Sequence, residues 1–439
     1  MIYFKCKFRQ FHCHSVHVAS QKNRIWRNEE KYVTLLDQFF ITKVMKNIII
    51  FDDNDVRKQL LPITYTRPIT KIRVGITTIE EKWQAMLGQA SSYSYLTASY
   101  LKKKFPTTLR SRNLLIAGHV IPTPQLARQV LGLKTGEAIV DSEGQLIAFY
   151  GSAQDFDSRN YTATVLPAEP IKQVTHLWDI FQLNGEVLRS DFERITAGRQ
   201  SQPVPPSCTV IGDPSQIFIE KGACIEGSCL NTKEGPIYIG ENVEVMEGAC
   251  VRGPFAACHD AKVRIGAKVY GATTLGPYCK IGGEVENTVM IGYSNKAHEG
   301  FLGDAVIGEW CNIGGGTTAS NLKNDYSEIR LWNYATQRFD HTGLQFCGPI
   351  MGDHCKTGVN CMLNTATVLG VGVNVYGAGF PRNFVPSFME GGNTSGFKDV
   401  KMRPFLATAK RVMARRGIEL TPDDCDMLEA IYKLSKKYK

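Results

Sequence analysis

His298 is the residue with the most chemistry to offer. It lies in the stretch Asn295 to Asn321, which runs through Lys296, Gly300, Phe301, Asp304, Asn312 and Gly315. A neutral imidazole can take up a proton near neutral pH, and general-base assistance commonly accelerates a reaction ~10²–10⁴-fold. A second group, Arg57, Arg67, Arg73 and Lys82, has the charge to hold phosphate oxygens, Arg being shaped for bidentate contact. Structural ion pairing is the alternative for these four. Thirteen cysteines contain no CxxC pair and no Cys/His zinc spacing. No structural metal is indicated, and a reducing cytoplasm is the expected compartment. Cys279, Cys311, Cys355 and Cys361 read as small buried hydrophobes.

The elements that would position His298 are written in a six-residue period. Ile239, Val245 and Val251 keep it, as do Leu275 with Ile281, Ile307 with Ile313, and Leu363 with Leu369 and Val375. Gly or another small residue usually follows, as in Ile281-Gly282 and Ile313-Gly314. This period belongs to a hexapeptide β-helix, in which each repeat buries its aliphatic residue only by stacking on its neighbours. The helix is expected over 208–395, with interruptions at 252–262 and 321–346. His298 then falls at a coil corner, its side chain facing outward into a groove.

Ahead of the repeats, strands at Ile48–Phe51, Asn113–Ala117 and Glu137–Val140 alternate with helices near 77–88 and 178–195, an α/β domain over 45–200. Pro203-Val204-Pro205-Pro206 marks the linker. Two helices are expected over 398–439, the second capped by Thr421 with Pro422 at its first position. Residues 1–44 carry eight Lys/Arg against three Asp/Glu. They read as an extension outside the fold, with a metal-binding arm of His12, His14 and His17 as the lesser reading. The net charge of +9 is concentrated there, and the repeats show no basic stripe interleaved with aromatics. Nucleic acid is therefore not an expected partner, and no apolar run is long enough for a membrane span.

The segment from Lys296-Ala297-His298 through Leu302-Gly303-Asp304-Ala305 to Asn312-Ile313-Gly314-Gly315-Gly316 and Asn321 resembles a bacterial bifunctional family. Those enzymes join glucosamine-1-phosphate N-acetyltransferase to N-acetylglucosamine-1-phosphate uridyltransferase. The resemblance implies a left-handed parallel β-helix working as a homotrimer, with acetyl-CoA as co-substrate. It implies that His298 is the catalytic base, Asn312 a sugar-phosphate ligand and Asn321 a neighbour of the acetyl donor. It also brings departures. Phe301 stands where the family has a Tyr at the sugar phosphate. Gly315 and Gly377 fall at small donor-side positions, and Val359 replaces a Ser there. A basic residue expected before the His is replaced by Asn287 or Thr288, leaving Arg252, Lys296 or Lys323 to supply the charge.

Residues 45–200 resemble a divergent sugar nucleotidyltransferase-like domain found beside hexapeptide repeats in Bacteroidetes-type proteins. The strand Ile48–Phe51 is followed by Asp52-Asp53-Asn54-Asp55 with no Gly-rich loop, and His119 stands where a Mg²⁺-binding Asp is expected. The implied chemistry is uridyl transfer from UTP with Mg²⁺, after N-acetylation of glucosamine-1-phosphate or a related amino-sugar phosphate. Three alternatives stay open: acyl transfer alone, nucleotidyl transfer with another base or sugar, and a non-catalytic scaffold binding a nucleotide sugar.

Overall fold

The computed structural model describes residues 46–88 and 92–439, so the expectations for residues 1–44 lie outside the described residues. Asn47–Phe51 is buried along its whole length, as is Asn113–Ala117, because both are central strands covered on two faces. With Ser92–Leu96, Leu146–Gly151, Glu137–Val140 and Ala163–Val165 they form a mixed six-stranded sheet. The first strand pairs in parallel with Ser92–Leu96 on one side and Asn113–Ala117 on the other. Helix Ile79–Leu87 starts at a capping box: Thr78 accepts from the Glu81 backbone and Glu81 accepts from the Thr78 N–H. Helices Pro124–Gly132 and Asn184–Thr196 complete the layers of this domain.

From Thr209 onward the chain winds into a parallel β-solenoid with three faces. One face is a nine-stranded sheet that begins at Ile217–Ile219 and ends at Phe384–Val385. The six-residue ladder points inward: Ile239, Leu275, Ile281, Ile307 and Leu369 are fully buried, as are Cys279 and Cys355. The expected interruption at 252–262 is instead a regular coil. Phe255–Ala257 pairs with Ile237–Ile239 below and with Thr273–Leu275 above. Its pattern was obscured because Ala256 on the outer side is buried too, against Ile76, Leu188 and Phe192. The second excursion is real: strands Arg330–Asn333 and Arg338–His341 form a hairpin that leaves the solenoid.

The α/β domain lies directly on the solenoid wall. Ile48 to Val187 share one apolar core with Ile350, Val368 and Val371 of the nine-stranded face and with Phe405 and Leu428 of the C-terminal helices. Those helices, Met402–Ala414 and Pro422–Ser435, bridge the two parts. No helix among the described residues is long and apolar enough to cross a membrane.

Candidate active site

His298 stands at a solenoid corner and is exposed. The bridges Asn295 to Asn312 and Asn312 to Lys356, with the pairing of Lys356 to Asn374, fix the levels of four successive coils. Three residues beyond each of these lie His298, Gly315, Val359 and Gly377, one above another along the same corner. The imidazole leans over Gly315: a Cβ added there would meet His298 Cβ at 3.3 Å and Cγ at 3.5 Å. Gly315 therefore leaves room for the ring. Its N–H donates to no other group among the described residues, whereas the neighbouring Gly316 N–H is used by the Glu299 carbonyl. Val359 is 73% exposed, and Tyr376 and Phe380 further along the chain are exposed too.

Asn312 opens onto the face before this corner and is exposed; Asn321 lies on the face after it. The Asn321 amide donates to Asp304 at 2.8 Å, and Asn287 donates to the other oxygen of the same carboxylate at 2.7 Å. Asp304 is a residue that sequence reasoning passed over. Burial raises its pKa above the usual carboxylate range, with the two amides working in the opposite direction. Phe301 is half-buried with its ring edge near Gly303, where Asn321 also approaches.

Lys296 departs from its expected role as a substrate ligand. It pairs in register with Ile281 and is 1% exposed, so it occupies an inward rung of the aliphatic ladder. Its ammonium donates to the carbonyls of Gly282 and His298, both at 2.8 Å. Burial pulls its pKa down to about 8. The six-residue spacing could have located it, since Lys296-Ala297 repeats the place of Ile281-Gly282.

The four cations of the first domain are likewise interior. Arg57 donates to Tyr100 and the Arg67 carbonyl and pairs with Asp52 at 3.4 Å. Arg67 pairs across the seam with Asp353 at 2.5 Å and Glu309 at 3.2 Å. Arg73 reaches Ile76, Ile291 and Cys258, and Lys82 pairs with Asp191 at 2.7 Å. Burial opposes the Arg67 charge, but Asp353 and Glu309 overcome it and raise its pKa. Burial pulls Lys82 down to about 8 despite Asp191. These side chains serve the interior and the seam, where Arg67 and Arg73 also line a cleft of about 450 Å³ with Lys71, Lys104 and Glu309.

A larger cleft lies at the carboxyl ends of the parallel strands, where sheets of this kind bind ligands. It encloses about 1220 Å³ between Asp53, His119, Asp141, Glu143, Arg159 and Gln173. Its charge is mainly acidic. Asp52, which lines a second cleft with Asp53 and Arg159, is fully engaged, accepting from Ile69 N–H, Arg57 and Thr97. His119 donates or accepts with Gln173 at 3.1 Å, and burial depresses its pKa, favouring the neutral ring. No cluster of three His, Cys, Asp or Glu suited to a metal occurs among the described residues. A Mg²⁺ held by one or two carboxylates and substrate phosphates needs no such cluster, and Asp53 and Asp141 are carboxylates lining this cleft.

Residues 48–200 match the family described as sugar nucleotidyl transferase. Among curated proteins, the chain is 27% identical over 173 residues to the bifunctional protein GlmU of Cupriavidus pinatubonensis, covering 34% of this chain and 38% of that protein. It is 31% identical over 189 residues to the bifunctional protein GlmU of a Synechococcus species, covering 40% and 37%. It is 28% identical over 145 residues to a bifunctional sugar-1-phosphate nucleotidylyltransferase/acetyltransferase of Sulfurisphaera tokodaii, covering 33% and 36%. The matches thus span well under half of these relatives' length. The chain is similar to GlmU-type bifunctional proteins, with a sugar nucleotidyl transferase domain over residues 48–200 ahead of a parallel β-solenoid.

Proposed function

We propose that the solenoid transfers an acetyl group from acetyl-CoA to the amine of glucosamine-1-phosphate or a related amino-sugar phosphate. The observation that supports this most is the corner row in which the exposed His298 lies over Gly315 with Val359 and Gly377 in line. His298 takes a proton from the acceptor nitrogen as that nitrogen attacks the thioester carbon. The carbon–sulfur bond then breaks, and the proton passes to the departing thiolate. In this reading the Gly315 N–H, unused among the described residues, stabilises the oxyanion, a contribution of ~3–4 kcal/mol in comparable sites. Asn312 and Asn321 flank the corner on opposite faces, which favours a site completed by a second copy in a homotrimer. Exposed Val359, Tyr376 and Phe380 are what such a copy would cover.

The first domain is read with it as a sugar-1-phosphate nucleotidyltransferase taking UTP. The acidic cleft and the engaged Asp52 favour a second reading for that half, in which it binds a nucleotide sugar without transferring the nucleotide. Thiol release from acetyl-CoA with a panel of amino-sugar phosphates tests the main reading. Release with at least one acceptor is expected, and none with any acceptor would refute it. Pyrophosphate release from UTP, sugar-1-phosphates and Mg²⁺ separates the two readings of the first domain.

A further inference from the structure

One face of the solenoid gathers cations beside the His298 corner. Lys262 and Lys280 stand in register on adjacent coils, and Lys280 is in register with Asn295 on the next. Such rungs are ~4.8 Å apart. The end of helix Met402–Ala414 folds down onto this face, where Arg416 donates to the Asn295 side chain at 3.1 Å. Arg264 completes the group: its Cβ lies 3.3 Å from the point a Cβ on Gly282 would occupy. Among the described residues Arg264, Lys280, Arg415 and Arg416 form no ion pair, and Lys262 alone has one, with Glu244. Burial, then the charges of Arg416, Lys262, Arg264 and Arg415, lower the pKa of Lys280. Like charges gathered here with one counter-charge among them, Glu244, are the arrangement that an anion relieves.

The track from the cluster to the corner is bare. Above Arg264 come Gly282 and then Ala297, and His298 is the next residue in the chain. We propose that Arg264, Lys280 and Arg416 bind the phosphate group of a ligand of the His298 corner, a phosphate ester or pyrophosphate. This supplies the positive charge that Asn287 and Thr288 do not. Its naming of the corner's ligands rests on the acyl-transfer reading; the anion site does not. Two sources share the chemistry: the phosphate of the amino-sugar acceptor and those of coenzyme A.

Thermal unfolding with inorganic pyrophosphate, against chloride at equal ionic strength, tests the site without turnover. Wild type is expected to be stabilised by pyrophosphate. Arg264→Gln/Lys280→Gln should lose that response while unfolding at the same or higher temperature in chloride. Calorimetry then assigns the source: binding of glucosamine-1-phosphate or of coenzyme A should weaken at least tenfold in the double variant and recover with Lys280→Arg alone. An unchanged pyrophosphate response in the variant, or none in wild type, would overturn the site. Loss of that response with both larger ligands unaffected would overturn its connection to the corner. Absent thiol release with normal calorimetry would count against acyl transfer and leave the anion site standing.

Discussion

At the residue scale the site is legible where side chains face outward and opaque where one breaks the usual partition. His298 could be placed because a corner position follows from the repeat register. Lys296 could not be assigned by residue type, since lysines are rarely fully buried. Its ammonium instead reaches two carbonyls, one of them that of His298. Because its folded pKa is lowered to about 8 from 10.5, the unfolded chain binds more protons between those values. This group's contribution to stability therefore rises with pH from about 8 to 10.5 and is lacking below. Lys296→Met should be at least as stable as wild type at pH 7, and the difference should shrink through that window. Denaturant titrations of both proteins at several pH values provide the check.

At the element scale the six-residue period reports stacking directly, because each inward residue must meet its equivalent one coil away. Ile281 is fully buried between Val263 and Lys296. Ile281→Ala should cost about 2–5 kcal/mol, the range for large-to-small changes in a packed core, measured by urea unfolding. The period fails at Phe255–Ala257 because a second domain buries the outer side of that coil, erasing the inside–outside contrast on which the reading depends. The hairpin of the excursion was legible only as a long insertion. What holds it is remote: Trp332 stacks on Phe384, and Tyr334 packs edge-on against Tyr65 and Tyr438.

At the scale of the whole molecule, sequence separates two domains by a proline linker, whereas the folded chain joins them through one core. Arg67, read from sequence alone, is a candidate for a phosphate contact or for a structural ion pair. Its partner Asp353 lies far along the chain, and no local pattern announces the pair. Arg67 and Asp353 have side chains only 5% and 4% exposed, and Thr66 donates to the same carboxylate at 2.7 Å. Removing one member strands the other charge, so Arg67→Met should cost about 3–5 kcal/mol. Arg67→Met/Asp353→Leu should regain most of that loss, as read from unfolding free energies.

The central claim is that the outward imidazole at the Gly315 corner removes the proton during acyl transfer. Its most direct test compares thiol release by wild type and His298→Ala at saturating acetyl-CoA and acceptor, with melting temperature and oligomeric state followed in parallel. Turnover lower by about two or more orders of magnitude, with both physical properties unchanged, is the expected result. Turnover equal to wild type in a correctly assembled His298→Ala protein would contradict the account.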